Sequence, residues 1–303
     1  MFETLKNVFR VKEMRRKLLY LIWMIFIIRI GCQIPVPGVD SDFFKQWFSS
    51  NAGDAFNFFD AFTGGSFERM SIFALNITPY ITSSIIIQLL TIASPALEEM
   101  QRDGEEGRKK MTAITRYVTV GLALFESIAM AIGFGRQGMI PNLDFFKGVV
   151  VVACLTAGSA MLMWLGERIT EKGVGNGISI VLTINIISRV PSDLTLLYEN
   201  FIKGKTIAKG TLAGLIIAAV ILLVVVLVLI LNGAERRIPV QYSKKMVGRK
   251  LMGGQSTNIP LKVNTAGVIP VIFASSIMSF PAVIAQLTGK GNGTYFYYKA
   301  ILL

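Results

Sequence analysis

Residues 211–232 read TLAGLIIAAVILLVVVLVLILN and contain no charged side chain. Leu, Ile and Val dominate the run, which leaves no polar face for a helix lying on the surface of a soluble protein. Crossing the hydrocarbon core of a bilayer takes about 20 consecutive, mostly apolar residues in helical conformation. The stretch therefore predicts a transmembrane helix and a membrane protein.

Other apolar runs accompany this stretch along the chain. Two of them carry a single charge each, Arg29 and Glu126, and two others are uncharged but contain prolines. The shortest run is rich in Gly, Asn, Ser and Thr. The seven predicted spans are 18–39, 70–97, 117–135, 148–166, 173–188, 211–232 and 263–289. The predicted fold class is an all-α, polytopic transmembrane helix bundle.

The composition argues against a soluble enzyme. Hydrophobic residues make up 52% of the 303 residues and charged residues 17%, whereas soluble domains carry about 25% charged residues. The sequence has no histidine, which removes His-based acid–base chemistry and His-ligated metals. Cys32 and Cys154 form no C-x-x-C motif and lie in or beside apolar runs, so we expect them to pack as small apolar side chains. We expect no catalytic residue, cofactor or metal.

The distribution of Lys and Arg predicts the orientation of the spans. With the N-terminus inside, most basic residues of the connecting segments fall in 1–17, 98–116, 166–177 and 233–262. This asymmetry follows the positive-inside rule and places the N-terminus in the cytoplasm. Most of the net charge of +12 is then an insertion signal.

The segment 233–262 is long for a connection between two helices. It contains the basic run SKKMVGRKL at 243–251 and has no acidic residue after Glu235. Such a loop suits docking of an acidic partner or of RNA phosphates. Charge that lies against an anionic membrane surface is the alternative interpretation, and composition alone does not choose between them.

Residues 56–69 read FNFFDAFTGGSFER, a stretch whose apolar part is too short to cross a membrane. Its aromatic residues, Asp60 and the Gly64-Gly65 break indicate a short amphipathic helix that enters partway and stops. Irregular backbone at membrane depth survives where protein or a water-filled cavity satisfies it. The alternative is an aromatic anchor that lies on the outer membrane surface.

The second and seventh predicted spans resemble each other. Residues 79–85 read PYITSSI and residues 270–277 read PVIFASSI. Proline-interrupted apolar segments at matching places in two halves indicate an internal repeat with a pathway between the halves. A chance match is the alternative, because Ser and Ile are common in membrane helices.

Three features carry no function of their own in this interpretation. The sequence GVGNG at 173–177 lacks the spacing of a phosphate-binding loop, so we predict a tight loop that enters a helix. Arg29 and Glu126 are single intramembrane charges. Local pairing or snorkelling explains them better than proton coupling does, although their roles stay open.

A pathway lined by Ile and small residues suits a large, variable and extended substrate.

Five motifs, in order along the chain, resemble the SecY family of protein-conducting channel subunits. They are FERMSIFALNITPYITSSIIIQLL at 67–90, GEEGRKK at 104–110, WLGERITEKGVGNGIS at 164–179, QSTNIPLKVN at 255–264 and AGVIPVIFASS at 266–276. The resemblance implies a channel that conducts unfolded secretory polypeptides across the membrane and releases membrane segments laterally into lipid. The rivals are an ion-coupled secondary transporter with discontinuous helices and a purely structural scaffold.

The resemblance also implies roles for individual residues. A re-entrant plug at about 57–68 would close the resting pore, and a hydrophobic ring would form its constriction. The loop 233–262 would dock ribosomes and the SecA motor. The plug residues are Phe58, Phe59, Asp60, Phe62, Thr63, Gly64 and Gly65. The ring residues are Ile77, Ile81, Leu182, Ile186 and Ile272. The docking residues are Arg108, Lys244, Lys245, Arg249 and Lys250.

The organisation and partners follow from the same resemblance. Family members have ten spans in two five-span halves, so residues 1–190 correspond to the N-terminal half and residues 191–303 to part of the C-terminal half. The implied partners are SecE- and SecG-type small membrane subunits, the SecA ATPase, the ribosome with its rRNA phosphates, signal sequences, nascent polypeptides and membrane lipid. The implied location is the bacterial plasma membrane.

Overall fold

The computed structural model describes most of the first two hundred residues and parts of the rest. The described residues are 11–41, 43–46, 60, 62–136, 138, 140, 144–201, 207–240, 245–247, 250–252, 257–265, 267 and 274. By the contacts between its residues, the chain divides into two compact units, Met1–Pro191 with Ile272–Leu303, and Ser192–Val271.

The described secondary structure consists of long helices followed by short strands. The helices are α1 (Lys12–Gly31), α2 (Thr78–Ala93), α3 (Pro95–Arg102), α4 (Gly104–Arg136), α5 (Phe145–Lys172), α6 (Gly177–Phe201) and α7 (Ile207–Gly233). The strands are β1 (Glu235–Val240), β2 (Lys245–Val247), β3 (Lys250–Met252) and β4 (Thr257–Lys262).

Local sequence sets where several helices begin. The Asp144 carboxylate accepts a hydrogen bond from Phe145 N at 2.8 Å at the start of α5, as expected of an N-cap. The Asn176 side chain does the same for α6, with Ile178 N at 3.1 Å. Residues 173–176 form the predicted tight loop, in which Gly175 has a φ of +77°. Pro79 lies in the first turn of α2, where its missing N–H leaves no helical hydrogen bond unmade.

Four described helices, α4 to α7, are long and apolar enough to cross a membrane. A fifth span results if the pair α2 and α3, bent by 104° at Ser94, is counted as one. These elements overlap the second to sixth predicted spans. The seventh falls almost wholly outside the described residues.

Two predicted span boundaries were wrong. α1 ends at Gly31 and not at residue 39. Pro35, which follows it, has no N–H for a helical hydrogen bond and forms a β-bridge with Ser71 instead. The span predicted over 70–97 is helical only from Thr78. Met70 and Asn76, before it, adopt φ values of 44° and 52°, in the left-handed region that a right-handed helix excludes. Proline therefore starts the second span and does not interrupt it.

Two buried apolar clusters form the core of the first unit. One contains Phe44, Phe67, Met70 and Phe134. The Phe44 ring packs edge to face with those of Phe67 and Phe134, with 5.0 Å between the centroids of Phe44 and Phe134. The other gathers residues of α1, α5, α6 and the chain before α2. Its members are Ile28, Cys32, Phe73, Ile77, Leu162, Leu165, Ile169 and Val181.

Polar contacts tie the helices of this unit together at several levels. Ser83 Oγ of α2 donates to Thr115 O of α4 at 2.8 Å, and Thr156 of α5 donates to Ser127 of α4 at 3.1 Å. Near one end of the same helix pair, Arg116 forms an ion pair with Glu167 at 2.8 Å. Side-chain hydroxyls satisfied in this way are common between membrane helices.

The predicted loop 233–262 contains β structure. β1 pairs with β4 in antiparallel register, with Ile238 opposite Ile259, and β2 pairs with β3, with Val247 opposite Lys250. The fold class of a helical membrane bundle is confirmed. The all-α prediction lacked these strands.

Close packing of glycine on α5 gives a testable consequence. A Cβ at Gly158 would lie 2.0 Å from the carbonyl oxygen of Ile72, which cannot move away as a flexible side chain could. We expect Gly158→Ala to lower the free energy of unfolding by about 1–3 kcal/mol, the usual cost of overpacking. Gly148→Ala on the same helix is the control, because no atom lies within 4 Å of its Cβ. Thermal unfolding in detergent measures both, and equal stability of the two variants would contradict this packing.

Candidate functional site

The chain between α1 and α2 folds back into the bundle. Residues 60, 62 and 63 are helical, and the chain then turns repeatedly until α2 begins. Val36 N donates to Met70 O at 2.9 Å and Ile72 N donates to Ile34 O at 3.0 Å. These bonds pair residues 70–72 with the chain that leaves α1. Residues 60–77, which include this pairing, are called the 60–77 segment below. Irregular backbone inside a membrane protein requires such partners.

Most apolar side chains of the 60–77 segment are buried. Phe67, Met70, Phe73, Ala74, Leu75 and Ile77 are each at most 3% exposed. Gly31 of α1 allows the Phe73 ring to approach, since a Cβ there would lie 2.0 Å from the ring. The segment is therefore part of the core of the bundle, and an aromatic anchor on the outer membrane surface does not describe these residues.

Asp60 organises the beginning of the segment. Its side chain is fully buried, and its Oδ1 accepts hydrogen bonds from Glu68 N at 2.9 Å and from Thr63 Oγ1 at 3.1 Å. Its Oδ2 forms an ion pair with Arg189 of α6, whose side chain is 20% exposed. A carboxylate removed from water needs this kind of compensation by charge and hydrogen bonds.

A chain of amide groups joins the end of the same segment to α6 and α1. Asn76 Nδ2 donates to Phe62 O at 2.9 Å, and Asn185 Nδ2 of α6 donates to Asn76 Oδ1 at 3.0 Å. Arg29 of α1 donates to Asn185 Oδ1 at 3.3 Å. Asn76 and Asn185 are each 1% exposed. The intramembrane Arg29 thus has a local polar partner, one of the two interpretations that its sequence context favoured.

The segment also approaches the backbone of α6 closely. A Cβ at Gly64 would lie 2.5 Å from the carbonyl oxygen of Asn185 and 2.9 Å from Ser188 Oγ. Gly64 has a φ of +68° and Gly65 one of +80°, both in the region that favours glycine. This tight turn requires Gly64 for its conformation and for the space that it leaves.

The five predicted ring residues have different surroundings. Ile77 is fully buried in the cluster that contains Phe73 and Leu162, and Ile81 and Leu182 pack against that cluster while partly buried. Ile186, one turn further along α6, is 43% exposed. Ile272 lies outside the described residues. The structure therefore brings three of the five together.

The predicted plug and docking residues are described only in part. Asp60, Phe62, Thr63, Gly64 and Gly65 belong to the 60–77 segment, whereas Phe58 and Phe59 lie outside the described residues. Arg108 is exposed near the start of α4. Lys245 begins β2 and Lys250 begins β3. Lys244 and Arg249 lie outside the described part of the chain.

Sequence reasoning missed the residues of α6 that contact the segment. Asn185 belonged to a predicted span rich in small polar residues, and Arg189 lies directly after the predicted end of that span at residue 188. Their spacing of four residues places them on one face of a helix. The change along this face from apolar Val181 to polar Asn185 and Arg189 was the signal in the sequence that could have indicated a polar contact.

Comparison with known sequences gives long matches. The sequence model of the SecY family matches residues 71–303. The chain is 44% identical over 300 residues to the protein translocase subunit SecY of Halalkalibacterium halodurans, covering 96% of this chain and 68% of the relative. It is 44% identical over 288 residues to that of Pseudomonas aeruginosa, covering 93% and 63%. For Escherichia coli strain K12 the identity is 43% over 285 residues, covering 93% and 64%.

Solved structures share the fold. A protein conducting channel superposes with a TM-score of 0.61 at 18% identity, covering 93% of this chain and 59% of that chain. Sec61 in the canine ribosome-channel complex of the endoplasmic reticulum gives 0.59 at 18% identity, with the same coverage. A SecY protein whose plug domain stabilizes the closed state gives 0.57 at 19% identity, covering 93% and 58%. At these identities the structures establish the fold alone.

This chain spans about two thirds of the length of the curated relatives that it matches and less than that of the solved chains. The match nevertheless extends over almost all of its own residues. With this identity to protein translocase subunits, and with the channel fold in its described helices, the chain belongs to the SecY family.

Proposed function

We propose that this chain forms the central part of a protein-conducting channel, in which unfolded polypeptides cross the membrane and hydrophobic segments leave sideways into lipid. The observation that carries the proposal is the 44% identity to protein translocase subunits over 96% of the chain. In this role the chain is a conduit and not an enzyme. Neither the ion-coupled transporter nor the structural scaffold gains support from the relatives reported above.

The constriction of the channel is formed by apolar side chains of α2, of α6 and of the residue before α2, three of which pack in or against one cluster. Ile77, Ile81, Leu182 and Ile186 contribute from the described residues, and Ile272, outside them, is the fifth member of the ring that we propose. An apolar neck excludes a continuous column of water and so limits ion leak. It also makes no sequence-specific contact, which suits substrates of many sequences.

The first part of the 60–77 segment, up to Glu68, with Phe58 and Phe59 before it, is the plug of this channel. Its burial among α1, α5 and α6 and its irregular backbone support this role, because a segment that must move aside cannot be a full spanning helix. The solved SecY protein whose plug domain is described as maintaining a membrane seal has the same fold.

The loop 233–262 is the docking surface for cytoplasmic partners. Its strands hold Lys245 and Lys250 on one short antiparallel ribbon. Lys244 and Arg249 of this loop and Arg108 of α4 are the other docking residues that we propose. The related fold of Sec61 occurs in a ribosome-channel complex, so we include the ribosome and its RNA phosphates among the partners. The SecA motor uses the same surface, and SecE- and SecG-type subunits contact the helices in the bilayer.

The channel lies in the bacterial plasma membrane with its N-terminus in the cytoplasm. The relatives reported above are bacterial SecY proteins, and Lys and Arg are concentrated in the segments that this orientation leaves inside. Signal sequences and nascent chains then enter from the side that carries 233–262.

Crosslinking tests the proposed pathway. In the full-length channel complex, with Cys32→Ala and Cys154→Ala, Ile81→Cys is expected to form a disulfide with a cysteine in a stalled secretory chain. Ile92→Cys is the control, because Ile92 lies on the same helix and is 81% exposed. Absence of the Ile81 disulfide while the chain is demonstrably engaged, or equal yields at both positions, would remove Ile81 from the pathway.

Ion leak tests the apolar constriction. Ile81→Asn is expected to raise the resting ion conductance of the channel in planar bilayers, because an amide holds water in a neck that is otherwise dry. Ile92→Asn introduces the same group at the exposed end of α2 and is expected to leave conductance unchanged. Equal conductance of the two variants would rule out the constriction at Ile81.

Charge reversal tests the docking surface. Replacing Arg249 and Lys250 together by Glu is expected to weaken cosedimentation with ribosomes, with a smaller effect at high salt, where attraction between exposed charges is screened. Lys172→Glu at the end of α5 is the control for loss of a cytoplasmic charge. Unchanged ribosome binding by the double variant would show that docking does not depend on Arg249 and Lys250. Membrane insertion of all variants is expected to be normal.

A further inference from the structure

We propose that Asn185, Ser188 and Arg189 of α6 form a latch that holds the 60–77 segment in its closed position, and that the Asp60–Arg189 ion pair determines whether the segment can stay there. This inference rests on the proposed function, since it names the device that keeps the channel shut. The latch consists of these three residues with their partners Asp60, Gly64 and Asn76.

One face of α6 makes all of these contacts. Asn185 Nδ2 donates a hydrogen bond to Asn76 Oδ1 at 3.0 Å. The backbone carbonyl of Asn185 and the side chain of Ser188 lie against Gly64. Arg189 forms the ion pair with Asp60. Residues three and four apart share a face of an α-helix. A rigid displacement of α6 by a few ångströms therefore breaks the ion pair, the hydrogen bond between the two side-chain amides and the contact with Gly64 together.

The two carboxylate oxygens of Asp60 have partners on different elements. Oδ1 is held inside the segment by Glu68 N and Thr63 Oγ1, and these bonds move with the segment. Oδ2 faces Arg189 on a different element. When α6 withdraws, the fully buried carboxylate keeps its internal bonds but loses the charge that compensates it.

The consequence is a coupling between α6 and the segment. An ionised carboxylate without a counter-charge is strongly disfavoured in a dry interior. The segment consequently cannot remain in the bundle after α6 has moved and must carry Asp60 to water. The apolar end of the same helix face, Val181 and Leu182, packs in the cluster of Ile77, so the displacement that releases the latch also loosens the apolar constriction.

Cys32 provides a native reporter of segment release. It is 3% exposed, and the Ser66 hydroxyl of the segment lies against its thiol. Removal of the segment uncovers its thiol to a water-soluble maleimide. The other cysteine, Cys154, is removed by Cys154→Ala for this measurement.

The experiment compares variants of the full-length channel complex in membranes. Arg189→Gln is expected to raise both the alkylation rate of Cys32 and the resting ion conductance by at least about tenfold, because it leaves Asp60 buried without its partner. Asp60→Asn with Arg189→Gln is expected to show smaller increases, since no uncompensated charge is left. Arg189→Lys retains the charge and is expected to stay near the parent.

Arg116→Gln is the matched control. It also breaks an ion pair between two elements, Arg116–Glu167 at 2.8 Å, but that pair does not involve the segment. Arg116→Gln should change neither readout. Equal Cys32 reactivity in Arg189→Gln and Arg116→Gln would overturn the latch, as would equal or greater reactivity in the double variant than in Arg189→Gln.

The two readouts separate the latch from the channel function. Faster Cys32 alkylation in Arg189→Gln with flat conductance in every variant, Ile81→Asn included, supports the latch and contradicts the proposed channel. Raised conductance in Ile81→Asn with parental Cys32 reactivity in Arg189→Gln supports the channel and overturns the latch. If Arg189→Gln fails to assemble, the order of Cys32 reactivity in Asp60→Asn and Arg189→Lys decides, with the higher rate expected for Asp60→Asn.

Discussion

The Asp60 carboxylate is fully buried among helices that lie in a membrane, and an ionised group in that position requires a compensating charge and hydrogen-bond donors. Glu68 N, Thr63 Oγ1 and Arg189 supply them. To meet this requirement the chain must turn back after Asp60, and α6 must lie against it. The Asp60 side chain thus links the conformation of the 60–77 segment to the position of α6.

The second constraint is the satisfaction of irregular backbone at membrane depth. The 60–77 segment leaves helical conformation between Thr63 and Thr78, which frees peptide groups that a helix would pair internally. The chain leaving α1 forms backbone hydrogen bonds with residues 70 and 72. The Asn76 side chain donates a hydrogen bond to the carbonyl of Phe62, and Ser159 of α5 donates one to the carbonyl of Asn76 at 3.3 Å. Each neighbouring element contributes to stabilising a segment that is neither a span nor a surface loop.

Prediction from sequence succeeded where a pattern is local and failed where a partner is distant. Helix α7 follows from the uncharged run 211–232, and the start of α6 follows from Gly175 and Asn176, because hydropathy and capping depend on neighbouring residues. The end of α1 at Gly31 and the start of α2 at Thr78 were misplaced. The bridge between Pro35 and Ser71 joins residues far apart in the chain, and no local pattern records it. The strands β1 and β4 were missed for the same reason.

The sequence by itself determined that this is a helical membrane protein, which way its charges bias its insertion and, through five ordered motifs, the family to which it belongs. Bilayer thickness and the cost of burying charge act on each stretch separately, so composition is enough to read them. The tertiary structure alone decided which side chains meet. Asp60 and Arg189 stand far apart in sequence, as do Asn76 and Asn185, and their contacts exist because packing of the apolar clusters brings α6 against the folded-back segment. Pair interactions of buried polar groups depend on that three-dimensional proximity, which no single stretch of sequence encodes.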